Sequence, residues 1–277
     1  MSDNAVLVQS TDRSSAQEVE GPPEPSRTRR VGVIWGGRAV VAAVLLIGWQ
    51  LIGSTVSPLY MSYPTAVARA AKKEVSSGEL FSALGSSMQT LLVGFLISII
   101  IGLVIGLVLG RYRLVSAWTE WILNALYATP LIAVLPLVIV WFGLGYNAKL
   151  FIVVALAVFP IIINTASGVR EIDDAFLDVG RAFVRSESAT FRKIILPGAL
   201  PYIMTGVRLA VGRALIGVVV SEFFTGISGL GAMIVKYGNN FDTAGLFVPV
   251  IVLMLLGVLL TALLRAAEKT TMRWKVR

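Results

Sequence analysis

Six stretches of this chain, 39–59, 90–110, 115–143, 150–168, 202–224 and 246–264, are apolar for about the length that a helix needs to cross a bilayer. A hydrocarbon core about 30 Å thick takes roughly 20 helical residues. With 56% hydrophobic residues and charges gathered between the runs, the chain is expected in a membrane as an all-α polytopic protein with six transmembrane helices. The first thirty residues are rich in Ser, Glu, Pro and Arg and hold no apolar run that could act as a secretory signal, so the first span reads as an uncleaved anchor.

Orientation follows from the 24 Lys and Arg, which outnumber the 16 Asp and Glu and are retained on the cytoplasmic side. An N-terminus inside the cell puts Arg13, Arg27, Arg29, Arg30, Arg38, Arg111, Arg113, Arg170, Arg181, Arg185, Arg192, Lys193 and the basic 265–277 segment in the cytoplasm. Arg69, Lys72, Lys73, Lys149 and Lys236 fall outside. The expectation is a multi-pass protein of the plasma or inner membrane with both termini cytoplasmic. Its parts are a disordered tail 1–38, a first span and short external helix 39–84, a core 85–268 with a cytoplasmic loop 170–200, and a tail 269–277.

The chain has no Cys and no His. Disulfide frameworks, thiolate nucleophiles, Cys/His zinc sites and Ser-His-Asp triads are thereby excluded, and an integral-membrane enzyme is disfavoured. No metal site is expected.

Several features go beyond the span count. Gly102, Gly106 and Gly110 repeat at four-residue spacing on the second span, which puts them on one face and lets a neighbouring backbone approach. Pro130 and Pro136 interrupt the third span and Pro160 the fourth, and each removes an amide donor from its helix. In the loop, Ile172, Phe176, Val179 and Phe183 recur at helical spacing among charged residues, which predicts a short amphipathic helix. Ser186-Glu187-Ser188 then supplies turn and cap chemistry, the chain re-enters the membrane at Ile194-Ile195-Leu196-Pro197, and Pro201 suits the first turn of the fifth span.

Two ionisable residues lie within the fifth span. Counted from Tyr202, Arg213 is about 16 Å along the helix, near the midplane, where an arginine costs about 2.5–3.5 kcal/mol and faces protein or water. It either lines a pathway and assists a small anion, or is a structural cation paired with a carboxylate such as Glu120 or one in a second subunit. Glu222 is near the external end, either at the interface or turned inward towards the pathway or the Gly229-Leu230-Gly231 turn.

The loop resembles that of the permeases of type I ATP-binding-cassette importers. Their pattern is Glu-Ala-Ala, three residues, Gly, nine residues, then Ile-x-Leu-Pro; here it falls on Asp178-Val179-Gly180, Val184 and Ile194-x-Leu196-Pro197 with both spacings kept. The run 206–223 followed by Gly229-Leu230-Gly231 is similar to the sulfonate, nitrate and taurine branch. The chain departs from the pattern at each of the three Glu-Ala-Ala positions and at Val184, where the family has glycine.

The resemblance implies a MetI-like permease fold and a role as the membrane subunit of an ATP-driven importer for a small solute such as a sulfonate, nitrate or taurine. It implies that ATPase subunits dock on Asp178, Val179, Gly180, Phe183, Val184, Ile194, Leu196 and Pro197, while Arg213 and Glu222 are candidates for the pathway from their places in the fifth span. The partners expected are those ATPases, an extracytoplasmic solute-binding protein, a second copy of the chain and the lipid bilayer, with no nucleic acid. This chain has no Gly-x-x-x-x-Gly-Lys-[Ser/Thr] loop, so ATP and Mg2+ are expected on the partner and none here as a cofactor. The rival is a secondary transporter driven by an ion gradient, which would show internal repeats that this sequence lacks and would leave the Ile-x-Leu-Pro loop without a purpose.

Overall fold

The computed structural model describes residues 27–173, 175 and 186–271. The chain divides into two units, 1–48 and 49–277. The first holds residues 27–48 of helix α1 (Arg27–Thr55), within which Val33–Thr55 is long and apolar enough to cross a membrane.

In the second unit, α2 (Pro64–Ser77) opens on a proline, whose missing N–H would have lacked a helical partner in any case, and stops at Gly78 with φ +77°. This is the short helix expected between the first two spans. Gly78 hands the chain directly to α3 (Glu79–Arg111), 33 residues long, so the second span starts well before residue 90. Its first turns carry Glu79, Ser82, Ser86 and Ser87, which hide the helix from a reading based on hydropathy.

The third apolar run folds as two helices, α4 (Arg113–Ala128) and α5 (Leu131–Phe142), bent by 93°. The break follows from Pro130, which lacks a donor and forces Thr129 before it into extended backbone at φ −67°, ψ 126°. Pro136 and Pro160, in contrast, lie inside α5 and α6 (Tyr146–Arg170) and end neither.

Beyond the loop, α7 (Glu187–Thr190) is capped by the Ser186 hydroxyl, which accepts from the Ala189 amide at 3.2 Å. It runs through a π turn, Phe191–Ile195, into α8 (Leu196–Thr225). The Ile-x-Leu-Pro segment is therefore helical, Pro197 takes the first turn of α8, and Pro201 sits in the helix interior and not at its start. A helix that the sequence reading lacks, α9 (Leu230–Asn239), precedes the last one, α10 (Thr243–Thr271).

The bundle is built around α6, packed on α3 and α8. A Cβ added at Gly94, Gly102, Gly106 or Gly110 would meet Val153, Ile161, Thr165 or Val169 respectively, at 2.5–2.7 Å. The partner advances in step with the glycine, so α3 and α6 run parallel with a fixed register. On α8 the order reverses: Gly206 meets Pro160 and Asn164, and Gly217 meets Val153, so α8 is antiparallel to α6. The small residues let backbones approach where lipid provides no hydrophobic drive between helices. Leu91, Val153, Ala157, Ile161, Ala210, Ala214, Val218 and Leu256 fill the seam.

Parallel α3 and α6 require the chain between them to recross the membrane. The bent α4–α5 pair is then one broken span, and among the described residues five unbroken helices plus this pair give six.

Candidate functional site

The loop end and the opposite end of the bundle carry different chemistry. Of the loop residues singled out in the sequence, Asp178, Val179, Gly180, Phe183 and Val184 lie outside the described residues. Leu196 is exposed, while Ile194 and Pro197 are half-buried at the start of α8. Their neighbour Ile195 is buried against Val169, Ala199, Ile203 and Val207 and anchors this end of the loop to the bundle. Beside it is a cavity of about 680 Å³ whose lining includes Arg111, Arg113, Trp118, Arg170 and Ile195. Arg170 donates to the Ser116 hydroxyl, and Arg111 is 3.9 Å from Glu187.

At the opposite end, Glu222 is fully buried on the last turn of α8. The Ser87 hydroxyl is 2.8 Å from its Oε1 and 2.9 Å from Oε2, and the Gly231 amide donates to Oε2 at 2.8 Å. Ser87 in turn accepts from the Leu230 amide at 2.8 Å. Of the two readings the sequence leaves open, the carboxylate adopts the inward one and faces the Gly-Leu-Gly turn.

That turn explains its own residues. Gly229 has φ +107° and ψ 174°, backbone open essentially only to glycine, and a Cβ there would overlap the Glu222 carboxylate. At Gly231 a Cβ would come 2.7 Å from the Glu222 Cβ and 2.8 Å from the Val219 carbonyl oxygen. Leu230 between them is fully buried with Val67, Leu80, Met233 and Tyr237. The one side chain of this Gly-Leu-Gly tripeptide thus seeds a core, and the two glycines let α9 close onto α8.

The sequence reading misses the cation of this cluster. Lys149, counted there only as an external basic residue, is 4% exposed on the first turn of α6. Its Nζ donates to the Ser228 carbonyl at 2.8 Å and reaches the Ser228 hydroxyl at 3.0 Å, and that hydroxyl is 3.0 Å from the Ser86 hydroxyl. A lone lysine just inside an apolar run, with a lone carboxylate at the same end of another, is the signal that could have found it. A cavity of about 340 Å³ opens beside Ser86, Ser228 and Gly229, with the ion-paired Glu79 and Lys236 in its lining.

Arg213 lies midway along α8 on a face exposed in the single subunit. Its Nη2 is 3.5 Å from the Tyr127 hydroxyl, and its guanidinium carbon lies 5.9 Å from the Tyr127 ring centre. No described carboxylate is within ion-pairing distance of it, Glu120 included, so the intrasubunit pair with Glu120 is not formed; its hydrogen-bond partner among the described residues is a phenol at the end of α4. Arg208, one to two turns away, is paired with Glu268 of α10 at 3.0 Å.

Comparison with known proteins bears on what this arrangement does. Residues 98–273 match the family described as "binding-protein-dependent transport system inner membrane component". The chain is 38% identical over 232 residues to a putative aliphatic sulfonates transport permease protein, SsuC, of Escherichia coli, covering 82% of this chain and 87% of that one. It is 36% identical over 242 residues to the riboflavin transport system permease protein RibX of Chloroflexus aurantiacus, covering 86% and 90%. Among solved structures, a chain of the methionine ABC transporter MetNI in an inward-facing conformation aligns with a TM-score of 0.53 at 20% identity, over 72% of this chain and 95% of that one. At that identity the match speaks to the fold.

Proposed function

Because the chain belongs to the family of binding-protein-dependent transport system inner membrane components, we propose that two copies of this permease form the pathway of an ATP-driven importer for a small anion. A solute-binding protein delivers the anion at the end that carries Glu222 and α9. ATPase subunits grip the loop 170–200 at the other end, and the basic segments around that loop support its cytoplasmic position.

The observation that carries this reading is the position of Arg213. A guanidinium midway along an apolar helix needs water or protein around it, yet in the single subunit its face is open and its one hydrogen-bond partner among the described residues is Tyr127. Two such faces brought together enclose a lined passage with a positive charge contributed by each copy. A sulfonate or another oxyanion crossing there is met by a charge-assisted donor and a phenol. The relatives point to the same solute class through the sulfonate permease, while the riboflavin permease marks the alternative that uptake must distinguish.

The test is uptake into proteoliposomes that hold this chain with its ATPase and are supplied with the binding protein, using taurine, an alkanesulfonate, nitrate and riboflavin as solutes. ATP-dependent uptake of one of the anions is expected. Arg213→Gln is expected to abolish it in complexes shown to be assembled, and Arg213→Lys to restore a substantial part. Uptake driven by an ion gradient without ATP would overturn the importer reading, and unaltered uptake by Arg213→Gln would remove the residue from the pathway.

A further inference from the structure

The polar cluster at the Glu222 end is unusual in where its parts come from. Ser86 and Ser87 belong to α3, Lys149 to α6, Glu222 to α8, Ser228 to the connecting turn, and the Leu230 and Gly231 amides to α9. Each joins at least one other element: Glu222 holds Ser87 and Gly231, Ser87 also holds Leu230, and Lys149 holds Ser228, which meets Ser86. Ser87, Lys149 and Glu222 are all buried. The two charges are opposite in sign and are buried at the same end of the bundle.

Burying a lysine and a glutamate is a poor way to gain stability, since desolvation consumes most of the attraction, but it is an effective way to fix one arrangement. Displacing α9 would strand both charges away from water. The residues around the cluster agree: the Gly229 backbone permits no side chain, Gly231 admits α9 to contact with α8, and Leu230 is fully buried. The α4–α5 pair is the opposite case. Along α4 only Ser116 is buried, and the helix ends at the Thr129–Pro130 break.

We propose that Lys149, acting through Ser228 and Ser86, and Glu222, acting through Ser87 and the Gly231 amide, clamp α9 to α3, α6 and α8, so that this external helix travels with them as one rigid body while the pathway opens and closes. Lys149 and Glu222 are then positioning residues and do not touch the solute. The inference rests on the transport reading for its second half only; the clamp itself is a property of the subunit.

Two experiments test the halves separately. Amide hydrogen exchange on the purified full-length subunit reads the clamp without any transport. In Lys149→Met and in Glu222→Gln, peptides covering 230–239 are expected to exchange faster by about tenfold or more, with peptides covering 153–165 and 206–218 unchanged. The apolar double variant Lys149→Met with Glu222→Leu leaves no stranded charge and is expected to fold, yet to keep the loosened α9. Unchanged exchange over 230–239 in the single variants, wild-type protection in the double variant, or an equal rise throughout the bundle would each overturn the clamp.

The rigid-body half uses the absence of native cysteine. The Ser86 and Ser228 hydroxyls are 3.0 Å apart, so Ser86→Cys with Ser228→Cys places two thiols to close a disulfide between α3 and the turn before α9. Oxidised and reduced forms of the assembled transporter are expected to take up solute at the same rate. Loss of uptake on oxidation with recovery on reduction would show that α9 parts from α3 during transport and would overturn the proposal. Absence of uptake by the wild-type assembly would instead count against the transport reading and leave the exchange result standing.

Discussion

Substituting alanine at Gly106 and at Gly85, two glycines of the same helix, isolates the α3–α6 contact from helix propensity. Each change should favour the helix itself by roughly 0.5–1 kcal/mol, since glycine has more backbone entropy to lose. They differ in surroundings: at Gly85 an added Cβ meets nothing within 4 Å. At Gly106 it would lie 2.6 Å from the Thr165 Cβ, 2.9 Å from the Ile162 carbonyl oxygen and 3.0 Å from the Thr165 Cγ2. Ordinary carbon contacts are about 3.5–4 Å, so α3 must retreat from α6 by about 1 Å, and a gap of that size forfeits up to about half the dispersion energy of the atoms facing it. The Ile162 oxygen is backbone and cannot rotate away. Overpacking of this kind costs about 1–3 kcal/mol, which exceeds the propensity gain. The measured quantity is the thermal midpoint of the purified subunit in detergent, with the yield of folded protein beside it. Gly85→Ala is expected to match or exceed wild type and Gly106→Ala to fall clearly below it, with Gly106→Leu lower still. Equal midpoints for Gly85→Ala and Gly106→Ala would refute the close contact and the parallel register built on it.

Gly229→Ala is expected to be worse than its size implies, because its backbone region costs a non-glycine residue about 1–3 kcal/mol and the new methyl would displace the Glu222 carboxylate. Folded yield should drop sharply, and a yield equal to wild type would show that the turn relaxes freely. Charge reversal at Asp178 or truncation of Phe183 is expected to uncouple ATP hydrolysis from uptake in a protein that still inserts, because an aromatic anchor in a partner's groove contributes about 2 kcal/mol or more. Copurification of the ATPase at wild-type level together with normal uptake would remove those residues from the docking surface.

The spans were legible because an apolar run about 20 residues long has few other uses. Helix starts were not. Glu79 to Ser87 and Glu187 to Lys193 are polar enough to pass for connections, yet both belong to helices that continue into the bundle. The helix α9 escaped because its apolar face is short and its anchor is a buried carboxylate, which no periodicity records. The glycine repeat, in contrast, gave the packing face from spacing alone, though not the partner: that α6 runs alongside in parallel depends on what α4 and α5 do between them.

That dependence links the broken span to Arg213. A single straight helix between α3 and α6 would cross the membrane as well, so connectivity alone does not call for the bend at Thr129–Pro130. What the bend does is end α4 at Ala128, which leaves Tyr127 on its last turn, within 3.5 Å of Arg213. The proline that looks like a local defect thus stands three residues from the one hydrogen-bond partner that Arg213 has among the described residues. Arg213, Tyr127 and Pro130 should be substituted as a set, with Pro130→Ala expected to disturb uptake in the same direction as loss of Arg213 if the break serves the charge, and to leave uptake intact if it serves only packing.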